Sequence, residues 1–428
     1  MSSMRRIWVL MATVFVDMIG FLMVLPLLPF YAQRYGASPS MIGALVSTFA
    51  FAQLVTAPLW GRLSDRYGRR PMIVGGLLAS GAAYVVFGLA TSVWMLLLSR
   101  LIQGAGGGTI GVVQAYVADA VEPRERAKAL GWLTAATSAG VMVGPGIASL
   151  AATWSPSAPG FLAAALCLLN SISAWWWLPE SAKNLRGRRS GTDAGPSEPQ
   201  PRRRSLGEAV WSVVRRPRDT VAALIWIYAL GIMAFMAMNG ILVLYLDEVH
   251  GVTTQTIGLF YMYVGGISLL MRAVLLGPVI RWLGEVRVMR VGVLTLVVGF
   301  LTIPLAADIP QLAAAAALIP IGTALLFPAT TSLVSGQAPD GETGQVLGVQ
   351  QAFGGISRLV GPLWAGAVYQ YVGIRSPFWL CAALTGVVFV AASLLRIDDS
   401  STPTEDDADA PSQDDPAAVS GSIEVVSS

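Results

Sequence analysis

The stretch GRLSDRYGRRP, from Gly61 to Pro71, stands between two long apolar runs. It reads as a tight cationic turn in which Gly61 and Gly68 permit backbone shapes that a Cβ would obstruct. Four arginines (Arg62, Arg66, Arg69, Arg70) and one carboxylate (Asp65) crowd into it. Charge that dense cannot lie in hydrocarbon, so the stretch marks one aqueous face of a membrane and sets the topology around it. A positive anchor would need only the charge. The ordered spacing Gly-x3-Asp-x2-Gly-Arg favours a more specific role.

Composition agrees with a membrane setting. The chain has 428 residues, 54% hydrophobic and 12% charged, with a mean hydropathy of +0.63; soluble domains carry about 25% charged residues. Outward from the Gly61 stretch, twelve apolar runs are long enough to cross a bilayer, near residues 7–30, 41–60, 72–91, 93–116, 129–152, 159–178, 220–246, 257–280, 289–307, 311–335, 344–370 and 376–395. Lipid leaves only helices or closed barrels, and these runs are too long and too uniformly apolar for barrel strands. Arg5 and Arg6 precede the first run, which is too long for the apolar part of a cleaved signal, so a retained first span is expected. With the N-terminus inside, 23 basic residues fall on inner segments and only Arg34 and Arg375 on outer ones. That bias predicts both termini in the cytoplasm.

The expected architecture is an all-α polytopic protein of two six-helix bundles, residues 1–178 and 220–395. Between them, 179–219 reads as a cytoplasmic linker rich in Arg, Pro, Gly and Ser. Leu206, Ala209, Val210, Val213 and Val214 repeat with helical period at its end and predict an interfacial amphipathic helix. Residues 396–428, with nine acidic and no basic side chains beyond Arg396, read as a disordered cytoplasmic tail. The halves repeat one another. Val143-Gly144-Pro145 matches Val360-Gly361-Pro362, and Leu130-Gly131 matches Leu347-Gly348, both 217 residues on; Gly61 and Gly68 match Gly277 and Gly284 at 216. Gly36 and Gly43 have counterparts in Gly251 and Gly258. Repeated six-span halves imply a transporter with its site near the midplane between them.

Further motifs lie inside the spans: Leu96-x3-Arg100-x2-Gln103-Gly104, Gly140-x3-Gly144-Pro145, and Asp17 followed by Pro26 and Pro29. With Gly61–Pro71, these resemble the major facilitator superfamily over essentially all twelve spans. Within it they are most similar to bacterial drug:proton antiporters of the tetracycline-efflux type. Ala148-Ser149 stand where the family's span-five signature ends in Gly-Gly, and the second-half loop has Arg281 in place of Asp65 and Glu285 in place of Arg69. The resemblance implies efflux of small amphiphilic compounds or drugs across the cell membrane by alternating access, powered by the proton gradient. A proton-coupled symporter or metabolite exporter on the same fold is the alternative, and a membrane sensor or scaffold a more distant one. The resemblance also implies that Arg100 takes part in proton coupling. It places Asp65 against the N-terminal end of span eleven in the outward-facing state, with Arg69 paired to Asp119 and Arg126 nearby. Opening inward would break these latch contacts.

Physical reasoning adds to this. Asp17 is ten residues into the first run, about 15 Å deep. An ionised carboxylate there is expensive, and such acids are functional candidates by default. Exchange of a proton, or of a cationic substrate group, at Asp17 is one reading; a neutral Asp bonded to a neighbouring helix is the other. Arg100 stays charged and needs a cavity or a partner: Asp17 is one candidate, helix carbonyls with Gln103 another. Arg272 and Arg358 put two more cations in the second half, which favours an anionic or strongly polar substrate group, unless Arg272 snorkels to the cytoplasm. Gln53, Gln114, Asn239, Gln350 and Gln351 either line the cavity or bond to neighbouring helices. Gly140 and Gly144 serve close helix packing or antiport alike, and Pro145 is expected to kink span five. The run Trp175–Trp177 reads as an interfacial belt. Cys167 and Cys381 form no disulfide framework, and His250 lies in a short loop. No nucleophile–base set, phosphate loop, metal cluster or ATPase domain is present. An enzyme, a cofactor and a metal are therefore not expected, and the cationic segments suit anionic lipid rather than nucleic acid. The protein is expected to work as a monomer.

Overall fold

The computed structural model describes residues 3–121, 123–180, 206–217, 219–339 and 342–395. The expectations for most of the linker and for the acidic tail fall outside these residues. The described chain is helical, without strands. The first half holds span one (Ser3–Val24 and Leu28–Arg34), two (Pro39–Tyr67), three (Arg69–Gly88), four (Val93–Gly106 and Thr109–Ala120), five (Pro123–Ala152) and six (Ala158–Trp177). The second half holds span seven (Thr220–His250), eight (Ile257–Leu270, a π-turn at Met271–Leu275, then Leu276–Leu283), nine (Glu285–Thr302), ten (Ile309–Gly336), eleven (Thr343–Tyr371) and twelve (Ser376–Leu394). Eleven of these have the length and hydropathy of a membrane crossing. Span eleven has 29 residues; Gln350, Gln351, Ser357 and Arg358 make it less apolar, and it packs between spans seven and two. A short helix, Leu206–Arg215, precedes span seven, with Val213 buried and Trp211 exposed.

The motif that sets the topology is more helical than its charge suggests. Span two continues through Gly61, Asp65 and Arg66 to Tyr67, and the turn is Gly68 alone, at φ 108°. The expectation that Gly61 supplies unusual backbone is therefore corrected: it is an ordinary helical residue with open space around it. A helix that has left hydrocarbon can carry Arg62, Asp65 and Arg66 on its exposed sides, so the charge run does not end it.

The repeat is visible in backbone and packing. Gly284 takes φ 78° where Gly68 takes 108°, and Gly36 and Gly251 take 76° and 63°; a residue with a Cβ is strained there. A Cβ on Gly144 would meet the Ile19 carbonyl of span one at 2.8 Å, and one on Gly361 the Met233 carbonyl of span seven at 2.7 Å. Across the halves, Gly258 of span eight abuts the Pro145 carbonyl of span five, and Gly43 of span two abuts the Pro362 carbonyl of span eleven.

These cross-half contacts lie on the face away from the cationic loop. There Ser40 N donates to Gln370 Oε1 (3.2 Å), Ser47 Oγ donates to the Leu359 carbonyl (2.7 Å), and Gly258 N donates to Ser149 Oγ (2.9 Å). Toward the cationic face the same stripes separate. Gly43, Ser47 and Ala50 are buried, but their continuation along span two, through Ala57, Gly61 and Asp65, is exposed. Gly131, Gly277, Gly344 and Gly348 have nothing within 4 Å of an added Cβ. The halves are thus sealed on one side and parted on the other.

Candidate functional site

Asp17 is placed by its neighbours along span one. One turn before it, the Thr13 carbonyl accepts from Asn170 Nδ2 of span six (2.8 Å). One turn after it, Gly20 lies against the Tyr84 ring and Cys167 Sγ. The carboxyl therefore faces spans three and six, inside the first bundle. Asp17, Arg100 and Cys167 are all within electrostatic range of the Tyr84 phenol. Gly140 and Gly144 let span five press on this part of span one, since Cβ atoms there would meet the Phe15 and Ile19 carbonyls at 2.6 and 2.8 Å. Pro145 lies within an unbroken helix from Pro123 to Ala152.

Arg100 is fully buried, and none of its three guanidinium nitrogens has a protein hydrogen-bond partner. Gln103, one turn on, instead donates to the Tyr84 hydroxyl (2.6 Å), leaving its own Oε1 unpartnered. The expectation that helix carbonyls and Gln103 hold Arg100 is corrected accordingly. Among the described residues the only ion pairs belong to Arg69, so Arg100 and Asp17 share the compartment without touching. Tyr84 was not evident in the sequence, where it is one aromatic in an apolar run; a buried phenol needs a partner, and that was the available signal.

At the cationic face, Arg69 is the hub. Its Nε reaches Asp119 Oδ2 at 3.0 Å, and its Nη1 reaches Asp65 Oδ1 at 2.8 Å and Ser64 Oγ at 2.9 Å. Asp65 remains 67% exposed, and among the described residues it makes no ion pair with span eleven. The Arg69–Asp119 pair is intact although the halves are parted on this side, and both of its residues belong to the first half. Arg126 donates to the Val121 carbonyl (3.1 Å) rather than joining the pair. Glu180, assigned from sequence to the linker, accepts from the Arg69 and Arg70 amides (2.8 and 3.3 Å) at the N-terminus of span three. Arg70 lies over the Trp175 ring (4.4 Å) and donates to the Trp175 carbonyl. Removing a carboxylate from a helix N-terminus costs about 1–2 kcal/mol. Glu180→Ala should therefore lower the melting temperature in detergent by roughly 1–2 °C, and Glu180→Gln by less. An unchanged melting curve would remove Glu180 from the support of this loop.

The remaining polar positions divide. Gln53 donates to the Gly107 carbonyl (2.9 Å), bridging the break in span four. Asn239 is satisfied within its own helix by the Phe235 carbonyl (2.8 Å). Gln350 is buried and donates to Thr331 Oγ1 (3.3 Å). Gln114 and Gln351 are exposed, and Gln351 donates to the Tyr228 hydroxyl (3.4 Å). Arg272 and Arg358 are half-buried in spans eight and eleven, away from the Asp17 compartment. No group of His, Cys, Asp and Glu among the described residues could hold a metal ion.

Comparison with known proteins places this arrangement. The model for the Major Facilitator Superfamily matches residues 10–309 and 273–421. The chain is 29% identical to Multidrug resistance protein 1 of Bacillus subtilis (strain 168), covering 90% of this chain and 95% of that one. It is 27% identical to the class C Tetracycline resistance protein of Escherichia coli, covering 86% and 91%. The solved structure of the nucleoside transporter NupG superposes with a TM-score of 0.71 at 11% identity, over 90% of this chain and 99% of that one.

Proposed function

This chain belongs to the major facilitator superfamily, a membrane transporter rather than an enzyme, and on that premise we propose that it exports small amphiphilic compounds, drugs among them, in exchange for protons. Its relatives named for multidrug and tetracycline resistance favour export over symport. The cationic face is the cytoplasmic one, as the bias of basic residues indicates, so the halves are sealed outside and open inside. The protein sits in the cell membrane with both termini cytoplasmic and works as a monomer.

The observation that carries the mechanism is the grouping of the half-buried Asp17 with Tyr84, Arg100 and Gln103 inside the first half. A proton held there and a substrate in the cavity between the halves act on one conformational equilibrium. Each shifts it only by its differential affinity for the two states. Asp65 and Arg69 belong to the other end of the cycle: when the inner side closes, Asp65 meets the N-terminus of span eleven, where a carboxylate is favoured.

The test is proton movement in inside-out vesicles with an acidic lumen. Adding a transported drug should discharge the gradient through the wild type. Asp17→Asn should reduce that discharge to the background of empty vesicles while substrate still binds. Discharge at the wild-type rate through Asp17→Asn would end the assignment of the proton to this residue.

A further inference from the structure

We propose that Arg272 and Arg358 form an anion-holding subsite in the second-half wall of the cavity, so that the preferred substrates are amphiphiles bearing a carboxylate or sulfonate. The inference rests on the reading of the chain as an exporter and names the substrate class of its cavity.

Arg358 is oriented by the residues around it. On span eleven, Gly354 and Gly361 face span seven, where a Cβ would meet Tyr228 and the Met233 carbonyl. Gly355 and Pro362 face span two, meeting Leu54 and Gly43. Ile356 and Leu363 are exposed on the far side. Arg358 falls between the first two directions, on the face that also presents Gln351 to Tyr228. Arg272 is placed in the same way. Gly258, Met262 and Gly265 of span eight face span five, and Leu259 and Leu270 are exposed outward. Arg272 continues the inward stripe. It sits in the π-turn Met271–Leu275, a distortion frequent at functional sites.

The two arginines share a depth. Counting back from the outer ends of their helices, Arg358 is about 20 Å and Arg272 about 22 Å down.

Neither has a counter-charge. Ion pairs among the described residues all belong to Arg69, and Arg272 Nε is buried without a partner. The described acids of this half, Asp247, Glu248, Glu285, Asp308 and Glu342, stand at helix ends. Asp17 faces Tyr84 in the other half. A guanidinium cannot discharge itself by losing its proton, and a buried, unpartnered guanidinium nitrogen such as Arg272 Nε is costly. An anionic group on the substrate relieves that cost, and a planar carboxylate or a sulfonate suits the guanidinium fork. Beside Gln351, the Tyr228 ring meets Phe327 edge-on (5.6 Å), an apolar surface for the rest of an amphiphile.

The experiment uses the purified full chain and two fluorescent probes that differ in one group: anilinonaphthalene sulfonate and neutral N-phenylnaphthylamine. The wild type should bind the sulfonate at least tenfold more tightly than its neutral twin. Arg272→Gln and Arg358→Gln should each lose about tenfold in sulfonate affinity, the worth of one charge-assisted hydrogen bond set, and keep neutral-probe affinity within about twofold of wild type. Arg358→Lys, which retains the charge, should fall between. Equal affinity of the wild type for both probes, failure to bind the sulfonate, or equal loss of both probes in the variants would overturn the subsite. Running the same probes in the acid-lumen vesicles separates the two readings. Arginine-dependent sulfonate binding without proton movement would retain the subsite and reject proton-coupled export. Proton exchange driven only by neutral or cationic compounds would do the reverse.

Discussion

Gly43→Leu should abolish transport and leave the protein open on its outer side. Gly43 of span two lies directly against the Pro362 carbonyl of span eleven, and Gly366 lies against the Pro39 carbonyl. These are backbone contacts, so no rotamer change can make room for a larger side chain. Overpacking typically costs about 1–3 kcal/mol, and at an interface that forms in only one state the cost falls on that state. At about 1.4 kcal/mol per tenfold, 3 kcal/mol shifts the balance roughly 100-fold toward the outward-open form. The repeat supplies the opposite experiment. Gly61, on the same stripe of span two, has nothing within 4 Å of an added Cβ, as do Gly131, Gly277 and Gly348 at the matched positions. These four mark where the halves must meet when the inner side closes. Gly61→Leu is therefore compatible with the present state and should hold the protein in it. Spin labels on exposed Gln33 and Tyr371 would read the difference, since the two native cysteines are buried. The label distance should lengthen in Gly43→Leu and stay short in Gly61→Leu, with transport lost in both. A Gly43→Leu protein with a short distance and normal transport would show that these glycines do not gate the outer side.

The same residues show what periodicity reveals and what it conceals. Apolar run length located the long helices, eleven of which have the length and hydropathy of a membrane crossing, and matched glycines predicted a repeat that the backbone displays at Gly68 and Gly284. Helix continuity was harder to read. Span two runs through a dense charge cluster because its charged side chains face outward, while span four breaks at Gly107–Gly108 within an apolar stretch and is bridged by Gln53. The π-turn at Arg272 leaves no trace in local composition. Partners distant in sequence were out of reach as well. Glu180 supports a helix that begins 111 residues earlier, and Tyr84 meets Gln103 from another span. Such contacts depend on how helices pack, which hydrophobic pattern constrains only loosely. The intramembrane ionisable residues were identifiable because their cost in lipid singles them out; the division of Asp17 from Arg272 and Arg358 emerged only with the fold.

Arg100→Met should stabilise the protein while removing its coupling to protons. The guanidinium is fully buried, none of its nitrogens has a protein partner, and it makes no ion pair. A buried charge held this way opposes folding, and replacing buried charged groups with apolar ones of similar volume is often stabilising by about 1–4 kcal/mol. Methionine is unbranched, flexible and close in length to the apolar part of arginine, so it can fill the space. Gln103 and Tyr84 keep their mutual hydrogen bond without Arg100, so no new polar group is orphaned. The melting temperature in detergent should rise by roughly 1–4 °C. In acid-lumen vesicles the same variant should fail to discharge the gradient, because no fixed cation remains beside Tyr84 and Asp17 to distinguish the protonated from the ionised carboxyl. Arg100→Lys keeps the charge and should retain the lower stability of the wild type. A fall in melting temperature for Arg100→Met would mean that the folded protein holds the guanidinium favourably. Undiminished proton exchange would separate Arg100 from coupling altogether. A rise in stability joined to a loss of exchange would identify Arg100 as a charge kept at a cost to the fold because the transport cycle depends on it.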